Sequence, residues 1–367
     1  MREEEKFWKS LKELKRKQKH IDEEIEKLTK NVNRVTDGWG RWVEGSPLPF
    51  LLLLAVTLYS VIIVNTSIGW ADARFLTFTP GARANSLASA FTAIADDIYA
   101  AYHNDAGLGF QNRITFGWYG SWSPHFALFK KESHSFLGAI LPMPVVGGSF
   151  AISALYYNYD EGFCTDFSYK ISYGKRVSKY LSLGIGAKTV GIGGDRDPPC
   201  GEIISWALDF SSLYQRANFR TGMAIQNVGP PIQCKYYVQQ EDRTDREVEE
   251  KVPFPFLIRG GLYDKFLMYE GHEFAIALDV VRSLTNQIDM DLFQICSGTE
   301  YIYHNFLSLR LGYRRDINGY ESGFTCGMGI IVRDEEKGSA TKIDVGIAET
   351  EALTSLSTTE FSIAFRM

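Results

Sequence analysis

In the segment EFAIALDVV, residues 273–281, every second side chain is large and apolar. Phe274, Ile276, Leu278 and Val280 alternate with Glu273, Ala275, Ala277 and Asp279. Successive residues of a strand point to opposite faces, so such a strand has one oily face and one face that is small or charged. The same period appears in ANFRTGMAI, where Phe219, Thr221, Met223 and Ile225 oppose Asn218, Arg220, Gly222 and Ala224. It appears again in FLSLRLGYR, with Leu307, Leu309, Leu311 and Tyr313 opposite Ser308, Arg310, Gly312 and Arg314. The chain closes on TTEFSIAFRM, in which Phe361, Ile363, Phe365 and Met367 share a face.

About 14 or 15 such runs occupy the chain from 113 to its end. They lie near 113–119, 124–130, 134–141, 148–158, 166–175, 180–190, 203–212 and 217–227, then 255–264, 273–282, 288–303 (one strand or two), 306–314, 322–332, 341–349 and 358–366. A tilted strand needs about nine to eleven residues to cross a bilayer. Lipid offers backbone groups no water, so a sheet can span only if it closes on itself. A soluble sandwich or propeller also alternates. The barrel is favoured by an export-type segment upstream and by the aromatic closing strand, which looks like the terminal strand that outer-membrane barrels present for assembly. Met367 stands where that strand usually carries Phe.

Composition agrees with a β-rich chain: 14% of its 367 residues are aromatic, and it holds 33 Gly against 12 Pro. The net charge of −5, with no basic stripe outside the N-terminus, argues against nucleic acid as a partner. Cys164, Cys200, Cys234, Cys296 and Cys326 are far apart and show no ligand spacing, so a metal site is not expected. One loop pair, Cys200 with Cys234, could bridge in an oxidising compartment; unpaired thiols are the favoured reading. His20, His103, His125, His134, His272 and His304 are scattered, and neither a G-x-S-x-G elbow nor a P-loop is present. The glycines of GIGAKTVGIGGD (184–195) miss the nucleotide-binding spacing, and Gly184 and Gly186 are expected on the lumen face beside Lys188, where another segment approaches closely. QQEDRTDREVEEK, 239–251, reads as a solvated charge run in the longest loop, with partner docking as the less favoured alternative. No enzyme chemistry and no cofactor are expected.

Two segments precede the β-rich part. In residues 1–47, Phe7, Leu11, Leu14, Gln18, Ile21, Ile25, Leu28, Val32 and Val35 recur at alternating spacings of four and three, which predicts a short coiled coil, with a single amphipathic helix as the alternative. Residues 48–73 contain an uncharged stretch from Leu48 to Val64, about the minimum for a membrane-crossing helix. Ala71-Asp72-Ala73 offers an A-x-A cleavage site, so a Sec-type signal peptide and an uncleaved anchor are both open. An outer-membrane barrel downstream favours cleavage after Ala73. The stretch IDEEIEKLTKNVNRVTDGWGRWVEG is similar to a coiled-coil leader in proteins carrying a restriction-nuclease-like domain; no such domain follows, and no nuclease activity is carried over.

Residues 75–110, FLTFTPGARANSLASAFTAIADDIYAAYHNDAGLGF, include an apparent helix from Ala84 to Ala95. The whole segment resembles the N-terminal signature of PorV/PorQ-type outer-membrane proteins, within the FadL-like group of long-chain fatty-acid channels. The matching elements are Gly81-Ala82-Arg83-Ala84, Ala90-Phe91-Thr92-Ala93, Ala95-Asp96-Asp97, Ala100 and Asn104-Asp105-Ala106-Gly107-Leu108. Asp105 replaces the Pro of the family's Asn-Pro-Ala-Gly-Leu pattern; Asp also suits a turn. A weaker resemblance continues through AIQNVGPPI, VPFPFLIRGGLYDKF, FAIALDVVRSL and LSLRLGYR to the end of the chain.

The resemblance implies an all-β fold: a transmembrane β-barrel of about 14 antiparallel strands over 113–367, with residues 74–112 folded inside the lumen as a helical hatch. Gly81, Arg83, Phe91, Asp96, Asp97, Asn104, Ala106 and Gly107 would form the hatch motif, with Asp96 and Asp97 meeting inward bases such as Arg220 or Arg310. It further implies residence in outer-membrane lipid and an accessory role in type IX-like protein secretion, with a secreted cargo protein or secretion-system subunits as partners. The alternative is a channel taking up long-chain fatty acids or other hydrophobic small molecules; a purely structural outer-membrane protein is the third reading.

Overall fold

The computed structural model describes residues 74–122, 133–159, 164–192, 203–239, 245–284, 292–317, 322–334, 339–350 and 356–367. The expected coiled coil, the signal or anchor segment and the run at 124–130 lie outside the described residues, as do Cys200 and the Cys234 side chain. The strands are β1 (Thr115–Trp122), β2 (Ser133–Met143), β3 (Gly148–Tyr159), β4 (Cys164–Arg176), β5 (Leu181–Ile192), β6 (Ile203–Arg216), β7 (Phe219–Val228) and β8 (Ile232–Gln239). There follow β9 (Asp245–Val252), β10 (Leu257–Tyr269), β11 (His272–Ser283), β12 (Phe293–Tyr303), β13 (Leu307–Asp316), β14 (Gly323–Asp334), β15 (Ser339–Thr350) and β16 (Leu356–Arg366).

Fourteen of these form one closed antiparallel transmembrane barrel in which each strand pairs with its neighbours in sequence, and β1 closes on β16 with Thr115 opposite Arg366. β7 pairs directly with β10, from Leu257 opposite Gln226 to Tyr263 opposite Arg220. The chain between them leaves the barrel as a separate two-stranded hairpin, β8–β9. The charge run at 239–251 is therefore not a plain loop. Asp245–Val252 is a strand paired in register with Ile232–Gln239, whose own alternation (Ile232, Cys234, Tyr236, Val238) carries the period of a strand. Within the ambiguous run 288–303, the described strand is the single β12, Phe293–Tyr303.

The alternation places side chains as the period demands. In β13, Leu311 is 66% exposed while its neighbour Arg310 is 2% exposed. Ile276 and Leu278 of β11 likewise face outward, and Ala275, Ala277 and Asp279 are buried inside. An outer surface of this kind would be a large apolar patch in water, whereas in a bilayer it is the lipid contact. Among the described residues no helix is long and apolar enough to cross a membrane; the strands make the crossing.

The segment from Arg74 to Gln111 fills the lumen and carries much of the buried core, including Phe75, Leu87, Phe91, Ile94, Ile98 and Leu108. It is less helical than its alanine content predicts. Instead of one helix over Ala84–Ala95 there are two short ones, α1 (Ala82–Ser86) and α2 (Ala100–His103), with 3-10 turns at Arg74–Thr77 and Asp105–Phe110. Ala88, Ser89 and Ala95 take positive φ (56°, 68° and 35°), which breaks the helix. The broken path lets backbone amides reach wall side chains: Ala88 N donates to Thr325 Oγ1 (3.1 Å), and Phe91 N and Thr92 N donate to Asp279 Oδ2 (3.1 and 2.9 Å).

Candidate functional site: the hatch and its seat

Small side chains bring the hatch against the wall. At Gly184 a Cβ would collide with the Ala106 amide, and at Gly186 it would strike Lys170 and Asp105, so both glycines lie under the hatch as expected. Gly81 has φ 111° and the Tyr99 ring packed on it, a place only glycine occupies without strain. Gly107 lies so close to the Ala95 carbonyl that a Cβ would overlap it.

The expected motif residues do meet in space. Arg83 Nη1 bonds Asp96 Oδ1 (2.5 Å) and approaches Asp97 Oδ2 (3.6 Å), while its other nitrogens grip Glu300 of β12 (3.1 and 2.9 Å). The Arg83 guanidinium also lies 5.5 Å from the Phe91 ring centroid. Asn104 closes the turn by accepting from Ala106 N (3.0 Å), and its amide donates to Thr92 O (2.8 Å) and Ser212 O (3.0 Å). Arg220 does meet Asp96 (3.2 Å). Arg310 does not meet either aspartate: it binds Glu300 (2.7 Å) and Asp344 (2.7 Å), and the base facing Asp97 from the wall is Lys342 (3.5 Å). Register is the reason. Arg310 lies opposite Glu300 on β12, so its nearest carboxylate is on the neighbouring strand.

Three further seats were absent from the sequence expectation. Asn85 Nδ2 donates to Glu360 Oε1 (2.9 Å), which also accepts from Tyr119 (3.3 Å). Asp279 receives the two backbone amides already described. Asp105, beyond helping the turn, joins a buried chain in which Lys170 bridges it to Asp209 (2.9 and 2.6 Å) and Lys188 bridges Asp209 to Asn227 (2.8 and 2.6 Å). Asn227 reaches this chain through a β-bulge. Between the pairs Leu208–Val228 and Phe210–Ile225, β7 holds one extra residue, so Gln226 and Asn227 both turn inward, with Asn227 at φ 65°. Gln226 then donates to Tyr102 O of the hatch and accepts from Arg259. The only sequence signal for these seats was a charge on the small-residue face of an alternating strand.

Burial and charge shift the hatch groups in a consistent way. Desolvation pushes the Asp96 carboxyl up, but Arg83, Arg220 and Lys342 outweigh it and hold the pKa at about 2. Desolvation dominates at Asp97 and Asp105 and raises both, against the pull of Lys342 and Lys170. His103, fully buried with Nε2 3.1 Å from Pro80 O, is lowered to about 3 by burial and by the nearby Arg259. Among the described residues no group of His, Cys, Asp and Glu could hold a metal ion, and Cys296 and Cys326 are free thiols.

Solved structures of similar fold include two toluene transporters and a FadL homologue. The Pseudomonas putida toluene transporter TodX is 12% identical with a TM-score of 0.53, over 78% of this chain and 97% of that one. The Ralstonia pickettii toluene transporter TbuX is 12% identical with a TM-score of 0.52, again over 78% and 97%. A Pseudomonas aeruginosa FadL homologue is 10% identical with a TM-score of 0.50, over 79% and 97%. The chain shares the FadL-like fold. No protein-family profile matches the sequence, and no curated protein does. At these identities the likeness speaks for the fold, and the PorV/PorQ assignment stands on residues 75–110 alone.

Proposed function

We propose that this protein is an outer-membrane channel for hydrophobic small molecules, and not an enzyme, with residues 74–112 as its gate and 113–367 as its wall. The carrying observation is that the wall's ladder closes without the hatch, which is joined to it by side-chain hydrogen bonds, ion pairs and apolar packing and not by strand pairing. The fold shared with two toluene transporters and a FadL homologue supports this reading. The inward bulge at Gln226–Asn227, which places an irregular strand beside the hatch, is in keeping with it. The secretion-accessory role draws its support only from the PorV/PorQ resemblance at 75–110. Export by a Sec-type signal within 48–73 belongs to the same proposal.

The test is uptake of toluene across a lipopolysaccharide-bearing outer membrane, in cells producing the full chain with Ala88→Cys and Thr325→Cys, two positions joined by the hydrogen bond from the Ala88 amide to the Thr325 hydroxyl. Oxidation to lock the pair is expected to abolish uptake, and reduction to restore it. Equal uptake in the locked and unlocked forms would sink the gate.

A further inference from the structure

A cavity of about 270 Å³ lies beside the hatch at the end of the barrel where the chain enters β1 and leaves β16. The described turns there are short, with only Ala217 and Asn218 between β6 and β7. In barrels of this class that end faces the periplasm. Six basic and four acidic side chains line it. The acids already have partners: Asp96 and Glu300 bind Arg83, Asp97 lies against Lys342, and Glu273 binds Lys265 (2.9 Å). Two arginines remain. Arg366 meets the neutral Asn112 Oδ1 (3.3 Å), and neither it nor Arg333 meets a carboxylate among the described residues.

Register sets these two side by side. Arg333 pairs with Ala340 on β15, and Ala340 pairs with Arg366 on β16, so the three form one row across the inner rim. Adjacent strands lie about 4.8 Å apart, which puts the two arginine backbones roughly 10 Å apart with only a methyl group between them. One row deeper, Lys342 sits between Ile331 and Ala364. Arg366 feels the like charges of Arg113 and Arg333 and, against them, the charge of Asp96 across the cavity, which is itself taken up by Arg83 and Arg220. Like charges held this close are unfavourable unless something negative sits between them, and guanidinium pairs match oxyanions with paired, parallel hydrogen bonds.

We propose that this vestibule is a binding site for an oxyanion, a carboxylate or phosphate group, seated over Ala340 between Arg333 and Arg366. Lys342 lies behind it, and Ile302, Ile331 and Ala364 offer room for a short apolar tail. The site does not depend on passage through the hatch, so it is tested at equilibrium. The full chain in a non-ionic detergent is titrated calorimetrically with inorganic phosphate, with octanoate and with octanol as the uncharged control. Phosphate or octanoate is expected to bind, more weakly as salt rises, and octanol not to bind. The tighter of the two anions names the source, a free phosphate or the acid end of an amphiphile. Arg333→Gln with Arg366→Gln is expected to weaken binding at least tenfold, and Ala340→Leu, which fills the seat and keeps both charges, to do the same. If the double variant fails to fold, Ala340→Leu and the single Arg333→Gln decide. Binding by neither anion, or unchanged binding in the variants that fold, would overturn the site.

Discussion

Along β13 the side chains swing between 66% exposed at Leu311 and 2% at Arg310, whereas in the hatch from Ala82 to Leu108 nearly every residue is buried whatever its chemistry. The wall is a two-faced sheet whose backbone groups satisfy each other, so its side chains need only suit lipid on one side and the lumen on the other. The hatch has no ladder. Many of its amides bond within its own short turns, others reach Asp279, Thr325 and Ser211 one at a time, and its charges are balanced both inside the hatch, as Arg83 with Asp96, and by wall residues far away in sequence. One region is held by a repeating rule, and the other by a set of individual fits.

That contrast can be broken from the wall side first. Gly184→Leu is expected to have the largest effect, because the added side chain meets backbone that cannot retreat, and overpacking even of movable cores costs about 1–3 kcal/mol. The hatch should fail to seat while the barrel forms. Trypsin would cut within 75–110 and far-UV circular dichroism would keep its β signal; a protease-resistant hatch in this variant would show the fit to be looser than described. Next comes Arg83→Ala, which leaves Glu300 with Arg310 alone and Asp96 with Arg220 alone. A buried charge left with no partner costs about 3–5 kcal/mol, so with these second partners in place the loss should fall below that, read as earlier hatch release in a denaturant titration.

Leu311→Arg tests the wall alone. An arginine on the lipid face costs about 2–4 kcal/mol near the bilayer midplane, although Arg310 next to it is accommodated. Unfolding from vesicles should show that loss with the hatch still protected. The smallest expected effect is a pH slope. His103 is held neutral in the folded hatch with a pKa of about 3, below its ordinary value of 6.5, so its contribution is complete above about pH 6.5 and is lost as pH falls through 3. Between pH 7 and 5.5 the hatch should lose about 1 kcal/mol. His103→Phe should flatten this slope in a proteolysis assay, and an unchanged slope would assign it to the carboxylates.

The wall could be read almost strand by strand because period-2 alternation is a local property, and a bilayer outside with a small or charged lumen inside enforces it on each strand separately. That 75–110 forms a unit was an expectation drawn from its resemblance to a family signature, not from its composition. Sequence did not show which carboxylate each base meets. Arg310 was expected to face the hatch aspartates, yet cross-strand register delivers it to Glu300 and Asp344. Nor did it show the hairpin β8–β9, because its charged second strand carries no apolar alternation to read.

What the residues by themselves determined is an outwardly apolar β-wall of alternating strands. The tertiary structure decided the rest: where α1 breaks, which glycines lie under the hatch, and how Asp105, Lys170, Asp209, Lys188 and Asn227 become one chain of charge. These are matters of pairing between residues up to 275 positions apart, as in Asn85 with Glu360. A local pattern specifies a face, but only the closing of the barrel specifies which faces meet.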